Sequence, residues 1–400
     1  MNILFLNSSD IGGGPVTTIN GLRNYFTSKD LKTKLMVGYK STRDKDVYEL
    51  NNNKLLRFID SKTNKNITNL LRGWWSRCLR SDLEQGAYDE LFNHEWYKNA
   101  DIVHLHNLYG NYLRYDALKR ISREKVLVWT FHDMWPFTNG CSHTSEESPL
   151  IHGLIKCRKS AFQNSLAKKV YFYKNYKFTG VAPSHWLLNL AKRTIIFQNN
   201  IVYIHHGVDV GNFKPRKKNI VRKELRLPMN KKIVIFVALG GTKNPHKGGD
   251  YFKEIVRRFE NQKDITFLMI GSNEYLGKNV SALPFVTDRL ILAKYFCAAD
   301  VLILPSTQES SSYVAMEAIV SGLPVVGFDV GGASEIMRSG NSYIAKYEDT
   351  NDLEKGLKTV IQGHNFVDSK LFEKNIEKLR LEYSEDEMGK KYLALYESLL

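Results

Sequence analysis

The segment "DVLILPSTQESSSYVAMEAIVSGLPVVGFD" (300–329) places two apolar runs on either side of a Ser-rich loop and a helix-like stretch. Both apolar runs are nearly continuous, which is typical of parallel strands that are covered on both faces. Between them we predict a helix through "YVAMEAIVS" (313–321), capped by Ser311 or Ser312 and ended at Gly322. The segment therefore predicts one strand–helix–strand unit of a parallel sheet.

Apolar runs of the same kind recur along the whole chain and form two series. The runs of the first series are "NILFLN" (2–7), "KLMVGY" (34–39), "DIVHLH" (101–106), "VLVWTFH" (126–132), "FTGVAPS" (178–184) and "IVYIHHG" (201–207). After a polar, basic passage, the runs of the second series are "KKIVIFVAL" (231–239), "DITFLMIG" (264–271), "DVLILPS" (300–306), "LPVVGFD" (323–329) and "NSYIAK" (341–346). Helix-like segments separate the runs, so the chain predicts an α/β fold with two Rossmann-like parallel-sheet domains. A length of 400 residues agrees with two domains.

The bulk composition is that of an ordinary globular protein, with 43% hydrophobic and 25% charged residues. No stretch of the sequence reaches the ~18 uninterrupted apolar residues that a membrane-spanning helix needs. The N-terminal "MNILFLNSSD" (1–10) has no basic region before its short apolar run, so we interpret it as a first strand and not as a signal peptide. Four cysteines in so long a chain argue against a disulfide scaffold and predict a reducing, cytoplasmic location.

The net charge of +15 is concentrated in two segments that also carry aromatic residues. Residues 54–80 hold seven Lys/Arg against the single acid Asp60, and residues 158–177 hold six Lys/Arg and no acid. Such segments suit anionic lipid headgroups or nucleic acid, whereas a solvated basic face is the plainer interpretation. No recognised nucleic-acid module is present, so we expect no nucleic-acid partner and consider peripheral binding to the inner face of the cytoplasmic membrane.

A glycine turn follows the first predicted strand. Since ligands of open parallel sheets bind beyond the carboxyl ends of the strands, this turn is a candidate site. Gly12, Gly13 and Gly14 allow positive φ and close approach of a ligand to the N-terminus of the next helix. The spacing G-x-G-x-x-G is absent, and the second strand has no acid at its end for a ribose. We therefore predict a phosphate or acceptor contact and no NAD site.

Two further strands end in ionisable residues. His132 follows the run "VLVWTF" and precedes a Pro/Gly loop, so we expect it to contact substrate, with a buried structural histidine as the alternative. Lys247 lies between His246 and Gly248, which excludes a Walker A loop. A lysine at the start of a helix still supplies a cation and N–H dipoles for a diphosphate, although a solvated loop lysine is the alternative.

Glu309 and Glu317 stand eight positions apart, the first in the loop after a buried strand and the second inside the following helix. A carboxylate accepts hydrogen bonds from adjacent hydroxyl groups, so ribose and hexose diols are natural partners. The small residues Ser310 to Ser312 leave backbone N–H groups accessible to such a ligand. A metal site or an acid/base pair is the competing interpretation, and no third acidic or histidine ligand lies nearby.

Together these motifs resemble family 4 of the retaining GT-B glycosyltransferases over nearly the whole chain. The most specific element is Glu-x7-Glu with "EAIVSGLPVVGFDVGGASEI" (317–336). The other matching stretches are the glycine turn at 12–14, "HDMWPFTNGC" (132–141), "VAPSHWL" (181–187), "HHGVDVGNFKP" (205–215) and "HKGGDYF" (246–252). The resemblance extends to the subgroup with an HDMWxFTxGC motif from polysaccharide, O-antigen and colanic-acid clusters.

The resemblance implies a GT-B fold whose two domains face a central cleft. It implies an acceptor-binding domain at 1–209, a nucleotide-sugar-binding domain at 210–384 and a helix at 385–400 that crosses back to the first domain. It also implies transfer of a hexose, with retention, from a nucleotide diphosphate sugar to a hydroxyl of a glycan or lipid-linked acceptor in cell-surface polysaccharide synthesis. Uridine diphosphate is the commonest donor nucleotide of the family, followed by guanosine diphosphate. A sugar-nucleotide epimerase or hydrolase is the alternative enzyme, and a basic nucleic-acid-binding protein is the other alternative.

The resemblance also assigns roles to individual residues. Glu317 would bind the ribose hydroxyls and Glu309 the donor sugar, while His132 would approach the transferred sugar. Lys247 would hold the diphosphate, and Lys243 is the nearest cation to the position where the family usually has an arginine. The implied donor-binding residues are Gly13, Gly14, Lys243, Lys247, Glu309, Ser311, Ser312, Tyr313 and Glu317. The family needs no cofactor or metal beyond the nucleotide sugar.

A Cys/His cluster follows the "HDMW" motif. Its four potential zinc ligands within seventeen residues are Cys141, His143, His152 and Cys157. The spacing Cys-x-His is not a standard zinc signature. We therefore favour an ordinary exposed loop over a zinc site and expect no metal.

Overall fold

A computed structural model describes residues 1–50, 88–108, 112–113, 115–145, 147–157, 163–363 and 369–400, the last two ranges without the side chains of 163–165 and 369–374. The chain forms two compact units. The first consists of Met1–His205 and Gly389–Leu400, and the second of His206–Met388. Each unit is built around its own parallel sheet.

The first unit contains a parallel sheet and one small hairpin. Its strands are β1 (Asn2–Ser9), β2 (Lys32–Tyr39), β3 (Val47–Glu49), β4 (Ile102–Leu105), β5 (Val126–Thr130), β6 (Leu150–Ile151), β7 (Leu154–Ile155), β8 (Thr179–Ala182) and β9 (Asn200–Tyr203). Its helices before the last one are α1 (Gly13–Thr27), α2 (Tyr88–Asn93), α3 (Glu95–Lys98), α4 (Tyr115–Glu124), α5 (Gln163–Asn175) and α6 (His185–Lys192), with 3-10 turns at Trp135–Phe137 and Ile195–Gln198. The sheet order is β3-β2-β1-β4-β5-β8-β9, and β6 pairs with β7 in the antiparallel hairpin.

The second unit contains a six-stranded parallel sheet. Its strands are β10 (Lys232–Val237), β11 (Ile265–Ile270), β12 (Val280–Leu283), β13 (Val301–Leu304), β14 (Val325–Phe328) and β15 (Ser342–Ala345). The remaining helices of the chain are α7 (Lys218–Glu224), α8 (Gly249–Arg258), α9 (Arg289–Ala298), α10 (Tyr313–Val320), α11 (Gly331–Ser339), α12 (Thr350–Ile361), α13 (Ser369–Glu382) and α14 (Glu385–Leu399), with a 3-10 turn at Gly241–Lys243. The sheet order is β12-β11-β10-β13-β14-β15.

All eleven apolar runs that predict strands form strands, and the predicted fold of two parallel-sheet α/β domains is confirmed. The runs are continuous because the strands are buried on both faces. In the second unit, for example, two separate apolar clusters pack on the two sides of the sheet. The prediction missed β3 and β12, which lie at the edges of their sheets and lack such runs, and also both strands of the short β6–β7 hairpin. The predicted helix is α10, and Ser312 Oγ accepts a hydrogen bond from Ala315 N at its start.

The basic segments require a correction. Residues 54–80 lie outside the described part of the chain. In 158–177, the side chains of Phe172, Tyr173 and Tyr176 pack in the core of the first unit and so do not form the surface that we considered for lipid. Lys169 is 2% exposed, and its Nζ donates to the carbonyls of Trp135 (2.6 Å) and Thr138 (3.1 Å). The physical reason is that an amphipathic helix packs one face against the core. In this segment the buried face contains most of the described aromatic residues and Lys169.

The cysteine count argues against a disulfide scaffold and for a reducing location, but the structure contains one disulfide. Cys141 and Cys157 form a disulfide, whereas Cys297 is free and buried. The β6–β7 hairpin folds the chain back so that Cys157 N donates to Asn139 Oδ1 (2.7 Å), which brings the two sulfur atoms together. No helix in the described parts of the chain is both long and apolar enough to span a membrane.

Candidate active site

Lys247 and Glu309 meet at the carboxyl ends of two neighbouring strands. Lys247 lies in the loop after β10, Glu309 lies in the loop after β13, and these two strands pair with each other. Lys247 Nζ is 2.7 Å from Glu309 Oε1. The carboxylate side chain is 5% exposed and the lysine side chain 29%, so the cation is the more accessible member of the pair.

Gly248 explains why the two loops approach so closely. It has a left-handed conformation with φ +67°, and a Cβ at this position would lie 1.7 Å from the carbonyl oxygen of Pro305. Only glycine tolerates both the conformation and the contact. A backbone hydrogen bond from Thr307 N to His246 O (3.0 Å) ties the same two loops together. The sequence "HKGG" therefore positions Lys247 beside the loop of Glu309.

The Glu309 carboxylate is partly saturated by the protein. Oε1 accepts hydrogen bonds from Lys247 Nζ and from Ser306 Oγ (2.9 Å). Among the described residues no donor contacts Oε2, so this oxygen can accept hydrogen bonds from a ligand. Gly332 N, in the first turn of α11, donates to the Glu309 carbonyl and holds the loop from the other side.

Glu317 lies inside α10 and is 2% exposed. Its Oε1 is 2.5 Å from Nη2 of Arg289, the first residue of α9. Burial raises the pKa of Glu317 above its ordinary value, while the charge of Arg289 and its hydrogen bond act in the opposite direction. Sequence reasoning missed Arg289 because no motif marks it; its role depends on a contact between residues 28 positions apart.

Aromatic and acidic groups of the second unit lie near this ion pair, and Tyr313 and Glu385 interact electrostatically with Arg289. The ring of Tyr313, the first residue of α10, stacks on His206 with the centroids 4.9 Å apart. The Arg289 guanidinium lies 4.7 Å from the centre of the Phe213 ring. Burial, reinforced by the charge of Asp209, raises the pKa of Glu385 to about 7.

The other predicted donor-binding residues lie around these two pairs with fewer contacts. Ser312 uses its hydroxyl as the cap of α10, and Ser311 beside it is partly exposed. Lys243 is exposed at the end of the 3-10 turn, and within the described part of the chain it forms no ion pair. The structure therefore joins Lys247 to Glu309 and does not join Lys243 to either glutamate.

In the first unit, predicted residues follow β1 and β5. Helix α1 begins at Gly13, which has φ +76° and whose missing Cβ would lie 3.6 Å from Cδ of Pro15, and Gly14 follows in the first turn. His132 comes two residues after β5, and its Nε2 lies 2.8 Å from Nδ1 of His106, with the two rings stacked. His106 is buried and was missed, although it ends the apolar run "DIVHLH" and so stands at the same carboxyl edge.

A second polar network holds the end of the chain in the first unit. His104 Nδ1 lies 2.6 Å from the hydroxyl of Tyr396, and His104 Nε2 lies 2.7 Å from Oγ1 of Thr130. Thr130 also contacts the Tyr392 hydroxyl at 2.7 Å. Complete burial lowers the pKa of His104 well below its ordinary value, so this imidazole is neutral near pH 7 and serves as a fixed hydrogen-bonding group.

The zinc alternative is excluded for the Cys/His cluster. Because Cys141 and Cys157 are joined in a disulfide, neither offers the thiolate that binds zinc. His143 contacts Ser142 Oγ at 3.1 Å, and His152 lies in the turn between β6 and β7. Within the described ranges, no three His, Cys, Asp or Glu side chains come together as a potential metal site.

Two family descriptions match the chain. "Glycosyltransferase Family 4" matches residues 13–212, and "Glycosyl transferases group 1" matches residues 231–363. A protein in the cps region of Klebsiella pneumoniae is 24% identical over 266 residues, which is 64% of this chain and 68% of that protein. The D-inositol 3-phosphate glycosyltransferase of Segniliparus rotundus is 32% identical over 142 residues, 32% of this chain and only 31% of the relative's length.

Solved structures share the fold over the full length. Sucrose-phosphate synthase from Thermosynechococcus elongatus superposes with a TM-score of 0.71 at 14% identity, covering 100% of this chain and 98% of the other. Anabaena HepE in complex with UDP-glucose gives 0.64 at 15% identity, covering 100% of both chains. The architecture is thus that of GT-B glycosyltransferases. Since one description spans half of the sequence, the chain belongs to glycosyltransferase family 4.

Proposed function

We propose that the protein is a retaining hexosyltransferase that transfers the sugar of a UDP-linked nucleotide diphosphate sugar to a hydroxyl of a glycan or lipid-linked acceptor. The observation that carries the proposal is the contact between Lys247 and the buried Glu309 at the carboxyl ends of β10 and β13. It places a cation, which can bind a diphosphate, beside a carboxylate, which can accept hydrogen bonds from sugar hydroxyl groups. The relative from a cps region supports a role in surface polysaccharide synthesis, and UDP-glucose in HepE supports the donor class.

In the proposed site, Lys247 and the N-terminus of α8 bind the diphosphate. Helix α8 begins at Gly249, two residues after Lys247, so its first N–H groups and the ammonium lie close together. Both stabilise the negative charge that develops on the leaving diphosphate in the transition state. Glu309 Oε2 accepts a hydrogen bond from a sugar hydroxyl, and Glu317 accepts hydrogen bonds from the ribose.

We infer that retention results from a displacement on one face of the sugar. The bond from the anomeric carbon to the diphosphate oxygen breaks, and the acceptor oxygen forms the new bond on the same side. The acceptor proton passes to an oxygen of the leaving diphosphate, so no protein nucleophile is needed. His132, oriented by its 2.8 Å contact with His106, approaches the transferred sugar in this proposal. Lys243, Ser311, Ser312 and Tyr313 remain proposed donor contacts, and Gly13 and Gly14 remain proposed phosphate or acceptor contacts.

The decisive experiment measures glycosyl transfer by the Lys247→Ala variant with its best donor and acceptor. We expect kcat to fall by about 100-fold or more, since the variant loses a charge-stabilising group of the transition state. Lys243→Ala is the matched control, because it removes an exposed lysine of the same loop, and we expect the smaller effect from it. Equal activity of both variants and the unchanged protein would contradict the proposal. Sugar released or epimerised from donor alone, without an acceptor, would instead identify a hydrolase or an epimerase.

We also propose that the acceptor is lipid-linked and that the protein binds an anionic membrane surface. The support within the described residues is α5 and the residues just after it, where Lys168, Lys174 and Lys177 are exposed and Tyr171 is 51% exposed. We expect more protein to sediment with anionic than with neutral vesicles at low salt. Replacing the three lysines with glutamine should reduce the difference, and equal sedimentation of the unchanged protein with both vesicles would refute the idea.

A further inference from the structure

We propose that Arg289 is a positioning residue that holds Glu317 as an ionised, correctly oriented acceptor for both ribose hydroxyls, and thereby makes the donor site selective for ribonucleotides over 2′-deoxyribonucleotides. The inference rests on the proposed function, because it assumes that Glu317 faces the ribose. It adds a residue outside the family motif and a specificity that this residue controls.

The first step is that Glu317 needs a counter-ion. It lies in α10 among the buried apolar residues Ala315, Met316, Ala318 and Ile319. A carboxylate in such surroundings takes up a proton unless a positive charge is paired with it. Arg289 Nη2, 2.5 Å from Oε1, is the donor to this carboxylate among the described residues. A protonated carboxyl would offer one acceptor fewer and would carry no charge for the ribose hydroxyls.

The second step is that Arg289 is itself held in place. Asp288 caps α9, with Oδ1 accepting hydrogen bonds from Leu290 N (2.8 Å) and Ile291 N (3.1 Å). This fixes the backbone of Arg289 as the first residue of the helix. Its guanidinium also stacks over Phe213 at 4.7 Å. The donor to Glu317 is therefore oriented before any ligand arrives.

The third step concerns the acceptor sites that remain. A carboxylate offers about four lone-pair sites, and Arg289 uses one of them on Oε1. Two adjacent hydroxyls of a ribose can then donate to the two oxygens of one carboxylate. A 2′-deoxyribose supplies only one of these donors and leaves the buried oxygen without its second partner, which costs binding.

Nearby acids do not provide a substitute for Arg289. Glu385 interacts electrostatically with Arg289, and Asp209 with Glu385, but both are carboxylic acids and neither can replace the guanidinium beside Glu317. The Arg289 side chain is 36% exposed, which leaves its remaining N–H groups accessible as well. A guanidinium in this position could also contact a phosphate, and the experiment below separates that role from the proposed one.

The test measures binding of UDP, GDP and their 2′-deoxy counterparts to the full-length protein by calorimetry. We expect the unchanged protein to prefer the ribonucleotide by about 10-fold or more. Arg289→Gln should reduce this preference to below about 3-fold, and Glu317→Gln should reduce it equally. The double variant should show about the same preference as either single variant, because the two residues act as one unit. Arg289→Lys, which keeps the charge but not the planar fork, should retain part of the preference.

Lys294→Gln is the matched control, because Lys294 lies on the same helix and pairs with Glu224. It should leave the preference unchanged, and the melting temperature of each variant confirms that it is folded. If Glu317→Gln abolishes the preference and Arg289→Gln does not, the inference fails while the proposed function stands. If Arg289→Gln weakens the binding of the ribonucleotides and of the 2′-deoxyribonucleotides by the same factor, Arg289 contacts phosphate and the inference is likewise overturned. If Glu317→Gln has no effect on the preference, or if no nucleotide binds, the ribose assignment itself is wrong and both proposals fall.

Discussion

Replacing Gly248 with alanine should separate the two loops that hold Lys247 and Glu309. A Cβ on Gly248 would lie 1.7 Å from the Pro305 carbonyl oxygen, and Cβ atoms essentially never come within 3.0 Å of such an atom. The backbone must therefore move by about 1.3 Å, the difference between these distances. Because the ammonium and the carboxylate are now 2.7 Å apart, such a shift takes the pair beyond hydrogen-bonding distance.

Gly240 provides the matched control. It also has a left-handed conformation, with φ +84°, but no atom lies within 4 Å of the position of its missing Cβ. Gly240→Ala thus costs only the left-handed conformation of a non-glycine residue, roughly 1–2 kcal/mol. Gly248→Ala costs the same conformation plus the steric overlap, which adds roughly 1–3 kcal/mol.

The assay compares the melting temperatures and the transferase activities of the two variants. For a unit of this size, 1 kcal/mol corresponds to roughly 2–4 °C, so an added cost of about 2 kcal/mol lowers the melting temperature of Gly248→Ala by about 4–8 °C relative to Gly240→Ala. Since a displacement of about 1 Å in a catalytic group can reduce turnover by about 100-fold, we expect that loss in kcat/KM for Gly248→Ala. Equal melting temperatures together with equal activities would refute the reasoning from the close approach.

Three other predictions follow from single contacts. Burial raises the pKa of Glu385 to about 7, so between about pH 4.5 and 7 the folded state keeps a proton that the unfolded chain has lost. The free energy of unfolding therefore falls as the pH rises through this window. The melting temperature of Glu385→Gln, which cannot lose this proton, should fall less over the same window than that of the unchanged protein. The Cys141–Cys157 disulfide joins residues 16 positions apart and should contribute about 3 kcal/mol, so the double serine variant should melt lower and lose its response to dithiothreitol; an unchanged melting temperature would contradict this. Tyr396→Phe removes the partner of buried His104 at a cost of about 1–3 kcal/mol, which should appear as faster amide exchange in residues 389–400 and not in α1.

The strands could be predicted from sequence because each internal strand of these sheets is buried on both faces. Burial on both faces selects a continuous apolar run, and such a run is visible without any knowledge of its neighbours. Edge strands carry no such requirement: β9 and β15 have apolar runs and were predicted, whereas β3 and β12, at the opposite edges, lack such runs and escaped prediction. The cap of α10 was equally visible, since Ser312 bonds to a backbone N–H only three positions away.

The failures share the opposite property. Lys169 is buried because carbonyls 34 and 31 positions away accept its hydrogen bonds, and nothing in the segment 158–177 reveals those acceptors. Cys141 and Cys157 pair because a two-stranded hairpin returns the chain to its starting point. The number of cysteines in a sequence does not show which of them the fold brings together.

By itself, the sequence determined the alternation of strands and helices, the residues Lys247 and Glu309 in the loops that follow strands, and Glu317 in the helix after the second of these loops. Apolar runs, caps and glycine turns act over a few residues, so they can be read locally. Only the tertiary structure decided that Arg289 contacts Glu317 and that His106 contacts His132, residues that are 28 and 26 positions apart. These contacts depend on the order of the strands in each sheet and on the positions of the connecting helices. Both are determined by many apolar contacts between residues that are far apart in the sequence.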